Sequence, residues 1–374
     1  MRKRSFFSFL LAALVLLIPQ NALYAGGKKP DKPVIQKAPP LPGKGMWINP
    51  PANPGKFFDR KVTLVYFWDY TSINCLRDLG YIKNWYQHYR TYGFEVIMIH
   101  APEFDFSKDK VNVEKAAKRL GLSFPIFLDN YFKLWDKYKT RSWPTKYIVD
   151  SNRIIVHAQV GEGGNMEFEK KIREALIKLI PEAGLPPPLV TQEENRFNSK
   201  KCGEMSTETY MGYERANWWG GEIATKKGVL PNQTLEYRDR GQRAERGFFV
   251  EGLWTNRTDD FEHARETETL SDYLGVIYLG HEVYTVINQS DEKEKPRIYV
   301  TRDDEPIPSD QRGSDIVEDL GGGTYVVLED PRLYYLITNE DSEPHELKLW
   351  VQKKGVMINS FSFSNRCLSQ FDHL

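Results

Sequence analysis

Along the first half of the chain, apolar residues fall in short unbroken runs separated by stretches of helical period. Val62-Thr63-Leu64-Val65-Tyr66-Phe67-Trp68 is such a run, β-rich and apolar, as in a strand buried on both faces. The pattern breaks at Asp69 to Asn74 and resumes as a helix through Leu79, Ile82, Trp85, Tyr86 and Tyr89, with Gly93 as its C-cap. Phe94 to Ile99 reads as a second buried strand, followed by the loop His100-Ala101-Pro102-Glu103-Phe104. A helix then carries Val113, Ala116, Ala117 and Leu120, closed by Gly121. Phe124 to Leu128 is extended, Trp135 and Tyr138 lie on a short helix, and Trp143 to Asp150 enters another strand. Ser151-Asn152 turns it back into Ile154 to Val160, and a last helix covers about Met166 to Ile180. This alternation predicts an α/β fold, a central mixed sheet flanked by helices.

The pattern changes after Pro186-Pro187-Pro188. Short alternating runs now follow one another between Gly, Asn, Asp and Pro: Gly247 to Val250, Leu274 to Leu279, Val283 to Asn288, Arg297 to Thr301, Gly323 to Leu328, Leu333 to Thr338, Glu346 to Gln352 and Val356 to Phe363. No long helix interrupts them, which predicts an all-β sandwich or jelly roll. The N-terminus has a different character. Arg2, Lys3 and Arg4 precede an apolar stretch, Phe6 to Ile18, too short to span a bilayer, and Ala22-Leu23-Tyr24-Ala25 offers a cleavage site. The expected order is a signal peptide at 1–25, a flexible tether at 26–46, the α/β domain at 47–182, a Pro-rich linker at 183–200, the sandwich at 201–367 and a tail at 368–374. Export follows, to the periplasm or beyond, with no stable membrane anchor once the signal is removed.

Charge adds little to this. Lys plus Arg and Asp plus Glu both number 51, so no net field recruits nucleic acid. The chemistry concentrates at one place. Cys75 falls in the first turn of the predicted helix, where free N–H groups and the helix dipole favour a thiolate. Three residues earlier stands Ser72. No His/Cys/Asp spacing supports a metal site, Gly161-Glu162-Gly163-Gly164 reads as a turn rather than a phosphate loop, and no cofactor is implied.

The segments Tyr66 to Cys75, His100 to Phe104 and Trp143 to Asp150 resemble the exported TlpA/ResA-type thioredoxins, and in particular the soluble region of DipZ-like cytochrome c biogenesis proteins. Thr207 to Tyr213 and Glu329 to Ile337 resemble the β-sandwich appended to those proteins, which is akin to carbohydrate-binding modules. The resemblance implies a thioredoxin fold and a thiol–disulfide site at Ser72-Ile73-Asn74-Cys75, with Ser72 where the family has its attacking cysteine. It also implies a substrate groove formed by Trp68, Tyr70, Glu103, Trp143 and a cis Pro144. A hydroxyl cannot attack a disulfide as a thiolate does, and one sulfur cannot both attack and resolve.

Several readings stay open from the sequence. Cys75 is a single-cysteine redox group, a thiol peroxidase nucleophile or a small buried hydrophobe. The peroxidase reading meets Trp68 and Pro144 where that chemistry has a Pro and an activating Arg. The alternative class is a non-catalytic adaptor, gripping an extended peptide or a thiol- or disulfide-bearing protein beside Pro144, with a glycan or protein partner for the sandwich. Trp218, Trp219 and Trp254 either stack on sugar or, as lone aromatics in sandwiches more often do, pack in the core, and Asn232, Asn256 and Asn288 head glycosylation sequons. His100 and Glu103 either tune Cys75 or belong to a solvated loop, and His157 is structural. Cys202 and Cys367 flank the sandwich, whose terminal strands commonly lie side by side, so they are either bridged or two free thiols.

Overall fold

The computed structural model describes residues 36–182, 184–190, 204–216, 230–241, 243, 247–291, 293–341 and 343–365. Its first half is built round a strand with every residue buried. The elements are β1 (Trp47–Ile48), β2 (Val62–Trp68), α1 (Ile73–Tyr89), β3 (Phe94–His100), α2 (Lys110–Arg119), β4 (Ile126–Leu128), α3 (Lys133–Tyr138), β5 (Thr145–Val149), β6 (Ile155–Val160) and α4 (Asn165–Leu179). The six strands form one mixed sheet in the order β1-β4-β3-β2-β5-β6. β2 and β3 are parallel, β2 and β5 antiparallel, so β2 sits near the centre.

Alternation along β2 explains its uniform apolarity. Leu64, Tyr66 and Trp68 join Ile82, Trp85, Phe168 and Ile172 of α1 and α4 in one core. Val65 and Phe67 point the other way, into a second core with Trp135 and Tyr138 of α3. After α1 a single tighter turn, Arg90–Tyr92, is closed by Gly93 in a left-handed conformation with φ 84°. The predicted C-cap glycine thus stands three residues past Arg90, the C-cap of α1 itself. Part of the expected tether is packed rather than loose. Ala38 and Leu41 are buried in the second core, and the Ala38 N–H donates to the Arg153 carbonyl at 2.7 Å. Their apolar side chains are more stable there than in water. The described part of the Pro-rich segment is likewise held. Leu189 and Val190 donate their N–H groups to the buried Glu169 carboxylate, each at 2.7 Å.

The second half is antiparallel throughout. It comprises β7 (Thr209–Tyr210), a short helix α5 (Tyr213–Ala216), β8 (Thr234–Tyr237), β9 (Phe248–Asn256), β10 (Phe261–His263), β11 (Tyr273–Tyr278), β12 (Glu282–Gln289), β13 (Arg297–Arg302), β14 (Glu305–Pro306), β15 (Val317–Glu318), β16 (Thr324–Val327), β17 (Arg332–Thr338), β18 (His345–Val351) and β19 (Val356–Ser364). The main path runs β15-β16-β13-β18-β11-β9-β10-β19-β12-β17. β9 serves both layers: Phe248 to Glu251 pair with β11, whereas Gly252 to Thr255 pair with β8. Side chains of both layers meet in one core, among them Val250, Val276 and Leu349 with Phe261, Ile287 and Phe361. This is a sandwich.

The corner of β9 depends on glycine. Gly252 has φ 106°, and a Cβ there would run into the carboxylate of Asp272. Asp272 is itself fixed by Arg265 at 2.7 Å and by His263 at 3.0 Å, so it cannot retreat cheaply. Gly252→Ala is expected to cost about 2–4 kcal/mol, read as a lowered urea midpoint with unchanged slope. A midpoint within error of the parent would show that β9 does not need this residue to turn the corner.

The first core does not stop at the α/β part. Tyr284, Val286 and Leu333 belong to it, with Tyr210 and Tyr335 packed against its edge. Arg77 of α1 approaches Glu282 of β12 at 3.9 Å, and Lys115 of α2 pairs with Asp330 at 2.9 Å. The sandwich therefore lies on the end of the sheet from which the Asp69–Asn74 turn emerges. Among the described residues, no helix is long and apolar enough to cross a membrane.

Candidate active site

The turn between β2 and α1 is organised by Asp69. Its wholly buried carboxylate accepts hydrogen bonds from the Thr71 N–H and hydroxyl, each at 2.8 Å, from the Glu103 N–H at 2.6 Å and from the Ser107 hydroxyl at 2.8 Å. A ring nitrogen of His100 lies 3.6 Å away. Burial opposes the charge on Asp69 most strongly, but the pull of His100 and the hydrogen bonds outweigh it and hold the carboxyl below its ordinary range. His100 is itself buried, stacked on Tyr70 at 5.6 Å and edge-on to Trp68 at 5.7 Å. His100, at the end of β3, and Glu103, in the loop beyond it, are thus interior rather than solvated.

Ser72 caps α1 with extended backbone, its carbonyl accepting the Cys75 and Leu76 N–H groups at 3.0 Å. Cys75 has no exposed surface, and Ser72 retains 7%. Tyr66 donates its hydroxyl to the Cys75 carbonyl at 2.8 Å, tying the first turn of α1 to the strand. The helix N-terminus does not yield a thiolate here. Burial drives the thiol well above its usual value, and the Asp69 and Glu103 carboxylates push the same way. Contacts with the Asp69 backbone and the Ser72 hydroxyl pull down, but do not offset the burial.

Below the thiol is a pair of charges. Asp78, one helical turn beyond Cys75, meets Lys146 of β5 at 2.9 Å, and both side chains are almost fully buried. Lys146 also donates to the Gly163 carbonyl at 3.3 Å and to Asn165 Oδ1 at 3.2 Å. Burial raises the Asp78 carboxyl to about 6, against the opposing pull of Lys146. Sequence reading overlooked this pair. The available signal was an acid three residues past the cysteine, on the same face of an apolar helix.

The residues of the anticipated groove do come together, but most of them are buried, and the sandwich reaches Glu103. Trp68 and Tyr70 are fully buried and Glu103 nearly so, while Trp143 is half-buried against Trp135 at 4.6 Å. The Trp143–Pro144 bond is cis. The Trp143 indole donates to the Ala101 carbonyl at 2.9 Å, and the Pro144 carbonyl accepts the Gly161 N–H at 2.8 Å. Tyr210 and Arg215 of the sandwich reach across to Glu103, at 2.7 and 3.1 Å. Tyr210 lies in the Thr207 to Tyr213 segment, but nothing in the sequence marked either residue as a partner of Glu103, because that role exists only once the two halves meet.

Other expectations fare differently. Trp254 is wholly buried, its indole donating to the Glu251 carbonyl at 2.9 Å, so it presents no face to a sugar; core packing claims it instead. Asn256 and Asn288 are buried, whereas Asn232 is exposed. Cys202, Cys367, Trp218, Trp219 and the signal peptide lie outside the described residues. Among the described residues, no cluster of three or more His, Cys, Asp or Glu side chains is arranged to hold a metal ion.

Two family descriptions match the chain: the AhpC/TSA family over residues 55–158 and the thioredoxin-like C-terminal domain over residues 206–364. Protein DipZ of Mycobacterium bovis is 36% identical over 220 residues, 58% of this chain and 30% of that protein. The thiol-disulfide oxidoreductase ResA of Geobacillus thermodenitrificans is 32% identical over 110 residues, 29% of this chain and 51% of that protein. A solved thioredoxin-like protein in its oxidized form aligns with 39% of this chain and 99% of its own length, at 23% identity and a TM-score of 0.36. The chain spans under a third of the length of DipZ and about half that of ResA.

Proposed function

For a chain that belongs to the thioredoxin-like proteins of the TlpA/ResA type, with the C-terminal sandwich domain found alongside them, we propose an exported protein that has lost dithiol turnover and serves as a binding partner of other proteins. The observation that carries this reading is the sealed single thiol. Cys75 is fully buried and its acidity is suppressed, while Ser72 occupies the attacking position. A reductase must expose a thiolate, pass through a mixed disulfide and resolve it with a second sulfur. Each of these requirements is unmet in the closed arrangement. Peroxidase chemistry at Cys75 requires an exposed thiolate as well, and the same burial argues against it. Capture of an extended peptide beside Pro144 needs Trp68, Tyr70 and Glu103 accessible, so the adaptor role falls more naturally to the outer faces. Export rests on the N-terminal pattern alone.

Insulin reduction with dithiothreitol as electron source tests the proposal. The folded protein is expected to add nothing to the background rate. A disulfide-type thiol probe should also label Cys75 roughly a hundredfold more slowly in the folded than in the urea-unfolded protein. Robust insulin turnover, or labelling as fast as in urea, would overturn the reading.

A further inference from the structure

We propose that Glu103, Tyr210 and Glu208 form a proton-held clasp that fastens the sandwich over the Ser72–Cys75 turn and lets it go when their shared proton is lost. The Tyr210 hydroxyl lies 2.7 Å from Glu103 Oε1 and 2.8 Å from Glu208 Oε2. A phenol has one proton to donate, so it satisfies only one carboxylate. The second contact becomes a hydrogen bond only if the other carboxyl is protonated and donates to the phenol oxygen. Two carboxyls bridged at these distances therefore share one proton, as like charges in a common site do.

The surrounding charges fit a cluster that is neutral with that proton and negative without it. Arg215 of α5 donates to Glu103 Oε1 at 3.1 Å and to the Glu103 carbonyl at 2.7 Å, and lies over the Tyr210 ring at 4.6 Å. It balances one carboxylate. Ser362 of β19 donates to Glu208 Oε1 at 2.8 Å. From the α/β side, Asp69 faces the cluster, with its Oδ2 on the Glu103 N–H and His100 beyond it. Arg77 is engaged with Glu162 and Glu282, and Lys108 with Asp105, whose N–H is bonded to Asp259 of the sandwich. A second negative charge on Glu103 and Glu208 thus meets Asp69 and a single arginine.

Burial, then the charge of Glu208, lifts the Glu103 carboxyl to about 8, and burial raises Glu208 as well. Both are raised above the ordinary glutamate range, so the closed state binds the proton more tightly than an open one. Closure is then fully supported below about pH 4.5 and is progressively lost as pH rises through about 8. The clasp rests on the reading of the turn as sealed by the sandwich, and adds what controls the seal.

Hydrogen–deuterium exchange of the full chain, corrected for the intrinsic rate at each pH, reads the seal directly. Protection of the 70–76 amides is expected to fall at least about tenfold between pH 6 and pH 9, with the β3 amides unaffected. Glu103→Gln supplies a fixed donor, and in that variant the fall should disappear. Glu208→Gln should behave alike and serves if the first variant misfolds. A pH-independent parent, or an equal fall in both variants, would overturn the clasp. Insulin turnover by the parent would instead overturn the loss of reductase function, whatever the exchange shows.

Discussion

Lys146→Met is expected to destabilise the protein by about 3–5 kcal/mol, because it removes one partner of a buried ion pair and leaves the other. Lys146 has no exposed surface and Asp78 only 2%. Methionine fills most of the lysine volume, so the loss reflects charge rather than a cavity. The effect has a sign in pH. Asp78 is already raised to about 6 in the parent, above its ordinary value of 3.8. Its contribution is fully present below about pH 4 and fades as pH rises through 6. Without Lys146 the carboxyl rises further, so the deficit of the variant should be larger at pH 8 than at pH 5. Urea unfolding at the two pH values measures both quantities. Adding Asp78→Asn to the variant should return part of the loss, since no charge then stays buried. A single-variant loss under about 1 kcal/mol would mean that water reaches this pair.

How much of this was legible beforehand follows from the range of the interactions involved. β2 could be read from seven consecutive residues because its two faces enter two separate cores, leaving the β-branched Thr63 as the one polar side chain in the run. The stop at Gly93, just past α1 and the turn that follows it, was legible for a similarly local reason, a left-handed backbone that favours glycine. The site was visible only as a spacing. Ser72 and Cys75 stand three residues apart in sequence, but the core that Cys75 belongs to also takes in Tyr284, Val286 and Leu333, more than two hundred positions away. A helix N-terminus argues for a thiolate, and desolvation argues against it; the sequence left both readings open, and the burial of Cys75 decides for the second. The same limit hid Tyr210 and Arg215. Trp254 could be read only as a choice, because an aromatic on a sandwich strand reads alike whether it faces sugar or the core, and it takes the commoner place, in the core.

Ser72→Cys should restore the missing half of the chemistry. The two positions are one helical turn apart, with the Cys75 N–H on the Ser72 carbonyl at 3.0 Å. That spacing brings Cβ atoms to about 5–6 Å, and a small backbone movement of the extended N-cap residue, together with side-chain rotation of both sulfurs, closes this to disulfide distance. The scaffold that sets the geometry is already present: Asp69 pins the turn from one side and Tyr66 holds the Cys75 carbonyl from the other. An internal bridge is therefore expected on mild oxidation, seen as a loss of two mass units and of alkylation at both positions. Insulin reduction should rise measurably above the background. It should stay well below that of an open reductase, because Ser72 retains only 7% exposure and the substituted thiol inherits the cover. Turnover limited by the cover should increase when the seal is weakened. Arg215→Ala, which removes the balancing charge on Glu103, is the appropriate second change. If Ser72→Cys forms no bridge under oxidation, the turn is not a disabled thiol–disulfide site but a differently shaped one, and the loss-of-turnover reading falls with it.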